Sequence, residues 1–396
     1  MTDSTCGSEE GGVASRRAVV GGVASGAAAG VGVVAWWAAR QLGTPRAAVG
    51  FELSEDELDR AVAFLDAHPA IDTHAHPGRS FVRGAEHLTW KLRLYASRGS
   101  FENRAIADLQ RGHVAAACFS AVSDFPTLDA RGGTLTPVRD FDPGEAWAYY
   151  RTQLANLRAL VASGDVAWVR APDDVAAARA AGQVGAILGV EGADFLQDDL
   201  GRVEQCFADG VRVLTLVHYF RGGVIGDVMT APPVHGGLTP FGRDVVQEMN
   251  RVGLVVDVSH SSERTAYDAL EVSTKPLLIT HTDVAEGGLD NPRFVSEGLA
   301  RSVAGAGGAV GAWPAGIRLG TLEDFVERIV ALVDLLGEDH VCIGTDMDAN
   351  HKPVFETYAK MPLVVGGLLR RGMSEEALTK VVGGNFLRVF ADVLTP

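Results

Sequence analysis

Seven residues able to bind a metal ion or move a proton stand at the ends of short apolar runs. His74 and His76 close AIDTHAH, Glu191 ends AILGVE, His218 ends VLTLVH, His260 ends LVVDVSH, His281 ends LLITH and Asp346 ends VCIGTD. Imidazole and carboxylate donors without cysteine suit Zn2+, with Mn2+, Fe2+ or Co2+ as less favoured occupants. The four cysteines, Cys6, Cys118, Cys206 and Cys342, show no CxxC spacing, so neither a cysteine zinc site nor a disulfide framework is expected. Two ions would need an anionic bridge, and Glu191 is placed to be one. Water held between two such ions loses a proton near neutral pH and becomes a nucleophile, whose proton Asp346 could carry to a leaving group. Arg293, in LDNPRFVSEGL, could grip a substrate carboxylate with both arms of its guanidinium. The plainer alternative pairs Arg293 with Glu297 at i, i+4.

Such scattered positions form one site only if the fold brings the run ends together. Eight candidate strands alternate with amphipathic stretches: Ala70–His74, Val114–Ser120, Val184–Val190, Val211–Val217, Leu254–Ser259, Leu277–Thr280, Ala309–Ala312 and Val341–Thr345. Helical patterns fall at Glu55–Ala67, Glu145–Ala162, Asp173–Ala181, Pro240–Val252, Arg264–Glu271 and Leu322–Leu336, with closing helices at Tyr358–Leu369, Ser374–Val382 and Asn385–Val393. The fold class expected is α/β, a (β/α)8 barrel of the TIM type whose strand ends share one rim; an open doubly wound sheet is the alternative. Residues 77–112, 121–144, 219–236 and 347–357 read as long connections over that rim. Asp72, Asp257 and Asp283 read as supports rather than ligands. His235 and His351 are the remaining histidines placed to line a pocket, and Lys275 precedes its strand, at the wrong end of a barrel.

The chain of 396 residues is 47% apolar and carries a formal charge of −15, which excludes disorder and speaks against nucleic-acid binding. Ser15-Arg16-Arg17 precedes an uncharged, Gly- and Ala-rich run from Ala18 to Ala39, long enough to cross a bilayer. This is the pattern of a twin-arginine export signal. Residues 1–45 are therefore read as signal or membrane anchor with a tether, 18–39 as the segment that would touch a membrane, and 46–396 as the hydrolase barrel. The product would be exported, either free or anchored.

The order His-x-His, EGxD, LTLxH, DVSHxS, ITH, NPR, GTDMD and GGNFLRVF resembles the membrane dipeptidase family of zinc peptidases from about Leu53 to Phe390. The resemblance implies a binuclear zinc barrel, two Zn2+ per chain, that hydrolyses dipeptides, some with a D-residue at the C-terminal position. It carries the metal ligands to His74, Glu191 as bridge, His260 and His281, the substrate-polarising histidine to His218, the substrate-carboxylate arginine to Arg293 and the catalytic aspartate to Asp346. Family members often dimerise, which leaves a homodimer as an option. One position departs: well-known members have His-x-Asp where this chain has His74-Ala75-His76. An imidazole in place of a carboxylate makes the ion pair more electropositive and puts the substrate in question. A non-peptide amide, lactone or β-lactam hydrolase is the second enzymatic reading, and an anchored metal- or peptide-binding protein the non-enzymatic one.

Overall fold

The computed structural model describes residues 46–97, 102–131, 134–288 and 291–395; the signal or anchor segment lies outside the described residues. Among the described residues twelve strands form: β1 (Ala70–Ala75), β2 (Val114–Val122), β3 (Leu128–Arg131), β4 (Thr134–Pro137), β5 (Val166–Val169), β6 (Val184–Glu191), β7 (Val213–Thr215), β8 (Val255–Asp257), β9 (Leu278–Val284), β10 (Phe294–Val295), β11 (Ala309–Ala312) and β12 (Val341–Ile343). Eight of them run in parallel in the order β1-β2-β6-β7-β8-β9-β11-β12. Pairing of β12 with β1 (Asp72 opposite Ile343) and of β8 with β9 (Asp257 opposite Leu278) closes the ring. The closed barrel stands and the open sheet does not.

Every residue of β1, β2 and β6 is buried, as expected of strands covered by helices outside and side chains inside. At one end of the barrel Ile71, Ile187, Val213, Val255 and Leu278 pack against Phe386, Val389 and Phe390 of the last helix, Asn385–Leu394, which plugs that opening. Further along, the lining narrows: a Cβ on Gly344 would lie 1.7 Å from the carbonyl oxygen of Thr280, so only glycine fits there. The opposite, C-terminal ends of the strands are left to polar side chains. In register, Val122 stands opposite Glu191, Glu191 opposite Thr215 and Thr215 opposite Asp257, so Glu191 occupies a defined level of that rim.

The outer helices are set by local signals. Ser54 and Glu57 make a reciprocal capping box at Glu55–Ala67, and Thr321 with Asp324 makes another at Leu322–Leu336. Thr239 caps Pro240–Val252, where Pro240 gives up no needed donor. Among the described residues no helix is long and apolar enough to cross a membrane.

The long connections are less open than expected. Residues 77–112 contain the helices Trp90–Ser97 and Glu102–Arg111, and 121–144 contain the antiparallel β3–β4 hairpin. The helices Gly201–Ala208 and Glu297–Gly305 were likewise not expected. They are short, eight and nine residues, so little periodicity marks them. Strand β5 pairs only with the first half of β6, beside the barrel, which is why it adds no ninth stave.

Candidate metal centre

All seven run-end residues arrive at one rim. His74 lies in β1 with His76 just beyond it, Glu191 is the last residue of β6, and His281 lies within β9. His218, His260 and Asp346 follow β7, β8 and β12. All are buried, with Asp346 the most exposed at 9%. His260 and Asp346 hold left-handed backbones, with φ of 63° and 52°. Side chains there cost on the order of 1–3 kcal/mol each, which the surrounding packing must offset.

Glu191 is the hub. Its Oε1 lies 3.0 Å from His260 Nε2, 3.3 Å from His74 Nε2 and 3.5 Å from His281 Nε2. Its Oε2 lies 3.4 Å from His218 Nε2 and 3.5 Å from His76 Nε2, and Asp346 Oδ1 is 3.4 Å from His76 Nε2. Two triads share Glu191 and could each hold an ion: His74, His76 and Glu191, and Glu191, His260 and His281.

The tautomers show what these atoms face. His76 Nδ1 is 2.9 Å from the carbonyl of Ser120, which only accepts, so Nδ1 carries the hydrogen and Nε2 of the neutral ring is a lone pair. Yet His76 Nε2 stands 3.2 Å from His74 Nε2, and His260 Nε2 stands 3.0 Å from His281 Nε2. Ring nitrogens this close either share one hydrogen as an N–H···N bond or turn their lone pairs to a common cation. The donor set, imidazole nitrogens around a shared carboxylate, fits divalent metal.

The charges of these side chains agree. Burial would raise the Glu191 carboxyl, but the imidazoles of His218, His74 and His260 hold it well below the usual range. Burial disfavours a charged His76, yet hydrogen bonding to Asp346 and Glu191 pushes it up to about 10. His260 and His281 fall well below the ordinary histidine value, first through burial and then through neighbouring positive groups.

Supports lie beneath. Asp257 accepts from Thr215, Ser259 and Thr280, and Asp72 accepts from Tyr358 (2.6 Å) and from Thr345. Asp283 is paired with Arg328 and Arg318. Asp72 also accepts from the backbone N–H of His74 at 3.1 Å, so one of the three aspartates read as supports holds a triad residue directly, by its backbone. Lys275 bonds the carbonyl of Thr395, on the plugged side of the barrel.

Arg293 precedes β10, with its own carbonyl accepting from Thr282 Oγ1 at 3.1 Å. It is 7% exposed, lies with Cζ 4.9 Å over the Trp313 ring, and donates from Nη1 to the Met229 thioether at 3.1 Å. Glu297 pairs instead with Arg301, so among the described residues Arg293 has no carboxylate partner. The i, i+4 alternative falls. His235 and His351 are exposed and outside the cluster, His235 bonding the carbonyl of Gly223 at 3.0 Å.

Two acidic residues escaped the sequence reading. Asp124, just past β2, takes His218 Nδ1–H at 2.6 Å and the backbone N–H groups of Tyr219 and Phe220 at 2.9 and 2.8 Å. Asp194 lies nearby, its carboxyl raised to about 8 by burial and then by the Asp124 charge. An Asp after EGx was visible as a motif; nothing in the sequence marked Asp124.

Comparison with known proteins places this geometry. Residues 58–395 match the profile of the membrane dipeptidase family, peptidase family M19. Dipeptidase verJ of Clonostachys rogersoniana is 27% identical over 86% of this chain and 88% of its own. Dipeptidase tcpJ of Claviceps purpurea is 31% identical over 56% of this chain and 54% of its own length, so that match spans about half of the relative. Among solved structures, a metallo peptidase from Rhodobacter sphaeroides liganded with a phosphinate mimic of the dipeptide L-Ala-D-Ala superposes with a TM-score of 0.69 at 21% identity, over 82% of this chain and 99% of its own. An amidohydrolase from Pseudomonas aeruginosa gives 0.67 at 23% identity, over 85% and 99%. These structures share the fold, and the profile match over most of the chain gives the family: the protein belongs to the membrane dipeptidase family, peptidase family M19.

Proposed function

We propose that this metal-dependent dipeptidase works with two Zn2+ per chain, one on His74, His76 and Glu191, the other on Glu191, His260 and His281. The observation that carries the reading is the pair of triads sharing one carboxylate. Bound there, the ions would supply Lewis-acid activation of the scissile carbonyl and of the attacking water. The chain supplies the rest. Asp124 favours the imidazolium form of His218, leaving Nε2–H to donate to the oxygen that gains charge. Asp346 moves the proton from the attacking water to the departing amine. Arg293, which among the described residues pairs with no carboxylate, takes the free carboxylate of the substrate. Dipeptides with a D-residue at the C-terminal position are included in the proposed range, in keeping with the ligand of the Rhodobacter sphaeroides relative.

The test is metal content by mass spectrometry on the purified chain, with L-L and L-D dipeptide hydrolysis on the same sample. About two zinc equivalents with chelator-sensitive cleavage is the expected result. Two ions without peptide cleavage would point to a non-peptide substrate, and no ion after reconstitution would end the mechanism. Export by the twin-arginine route, with residues 18–39 as signal or anchor, is part of the proposal; fractionation of cells expressing Arg16→Lys/Arg17→Lys checks it. A homodimer is proposed with it, for light scattering to test.

A further inference from the structure

Two turns meet above β1 and β12, and both use left-handed backbone. Gly78 and Arg79 have φ of 66° and 53°, directly after His76, and Asp346 and Asp348 have φ of 52° and 71°. A non-glycine chain does not hold such conformations unaided. Here Asp348 is the fastening point: its carboxylate accepts from Gly78 N at 2.7 Å, and its carbonyl accepts from Arg79 Nε at 2.8 Å and from the Tyr95 hydroxyl at 2.6 Å. Arg79 is itself fixed, lying 4.0 Å over the Tyr95 ring and donating to the Tyr95 carbonyl at 3.3 Å. The backbone of Asp346 is tied on its other side, donating to the His74 carbonyl at 2.8 Å, while His76 N donates to the Met347 carbonyl at 2.9 Å. The outcome is an Asp346 carboxylate held 3.4 Å from His76 Nε2.

We propose that Tyr95 and Arg79 are positioning residues for Asp346: by clamping Asp348 they keep the turn after β12 in the one backbone conformation that aims the Asp346 carboxylate at the metal centre. This rests on the reading of Asp346 as the proton carrier. The phenol of Tyr95 is suited to the part, because burial keeps it a neutral donor across the working pH range. Neither side chain meets a triad ring among the described residues, and Arg79 meets His76 only through backbone, its N–H donating to the His76 carbonyl at 2.8 Å, so the effect of both side chains travels through the backbone of the two turns. The helix Trp90–Ser97, unexpected from sequence, has a purpose here: it delivers Tyr95 to the rim.

Tyr95→Phe deletes one oxygen and Arg79→Lys keeps the charge while removing the Nε donor, so both leave the barrel packing in place. In each, kcat should fall on the order of tenfold to a hundredfold, as for a catalytic group displaced by about an ångström. KM should stay within about twofold and metal content should not change. In an Asp346→Asn background, Tyr95→Phe should cause no further loss of the residual rate, because its action is already spent. Amide hydrogen exchange of residues 345–350 should quicken by about tenfold or more in Tyr95→Phe, with β6 and β9 unaffected. Unchanged kcat, or losses that multiply with Asp346→Asn, would overturn the inference, as would unaltered exchange at 345–350. Should the unsubstituted enzyme cleave no dipeptide, the functional reading would fail by itself, and the exchange experiment would still decide the clamp.

Discussion

At Asp124 one carboxylate serves three donors, the His218 ring and the backbone N–H groups of Tyr219 and Phe220. It therefore fixes both the tautomer of His218 and the path of the chain after β7, without touching the triads. Asp124→Asn should lower kcat about tenfold to a hundredfold, while metal content stays at the unsubstituted value. Loss of metal in that variant would mean that Asp124 supports the ions instead. Arg293 makes a separable prediction. Its guanidinium is buried against Trp313 and, among the described residues, bonds a thioether and no carboxylate. Arg293→Ala should raise KM for a dipeptide by about tenfold or more, the worth of a charge-assisted hydrogen bond, and barely affect the C-terminal amide of the same dipeptide. Equal losses on both substrates would argue against carboxylate recognition. The histidine ladder was legible because a polar residue at the end of a buried run has few structural reasons to be there. Asp124 was not, because its importance comes only from the ring it meets 94 positions away.

At the level of elements, the helix Glu55–Ala67 shows how a local signal and a tertiary contact share one residue. Glu57 closes the Ser54 capping box and also pairs with Arg370 of the helix Met361–Arg370 at 2.6 Å. The Arg370 hydrogen bond, followed by those from Ser54, lowers its pKa to about 2. A depressed folded-state value means the contribution is complete above the unfolded pKa of about 4.3 and is lost as pH falls toward the folded one. The difference in melting temperature between the unsubstituted protein and Glu57→Gln should therefore be constant from neutral pH to about pH 5, narrow below it and vanish near pH 2. The box at Leu322–Leu336 belongs to the same class: Thr321→Ala should cost about 1 kcal/mol in urea unfolding and leave metal content alone. The two helices these boxes start were expected at the same bounds, from their apolar periodicity. The helix Glu102–Arg111 was hidden, since its buried face is only Ala105, Ile106 and Leu109 and four of its ten residues are charged.

For the whole molecule the division of labour runs along the barrel axis. One end is sealed by Phe386, Val389 and Phe390 of the last helix, and the other is opened to the imidazole cluster. Phe390→Ala should destabilise by about 3–5 kcal/mol, a cavity term plus lost burial, while kcat of the folded fraction stays unchanged. Chelation should act from the opposite end: stripping the ions should lower the melting temperature, and zinc should restore it, since a ligand that binds only the folded chain stabilises it by mass action. By itself the sequence determined the alternation of strands and helices, the eight staves and the identity of the polar run ends, because burial periodicity and capping are local consequences of residue type. Tertiary structure alone decided that Glu297 turns to Arg301 rather than to Arg293, and that Asp124, Arg79 and Tyr95 stand behind the site. Each of these depends on which side chains meet when strands distant in the chain close into a ring, and no local pattern carries that information.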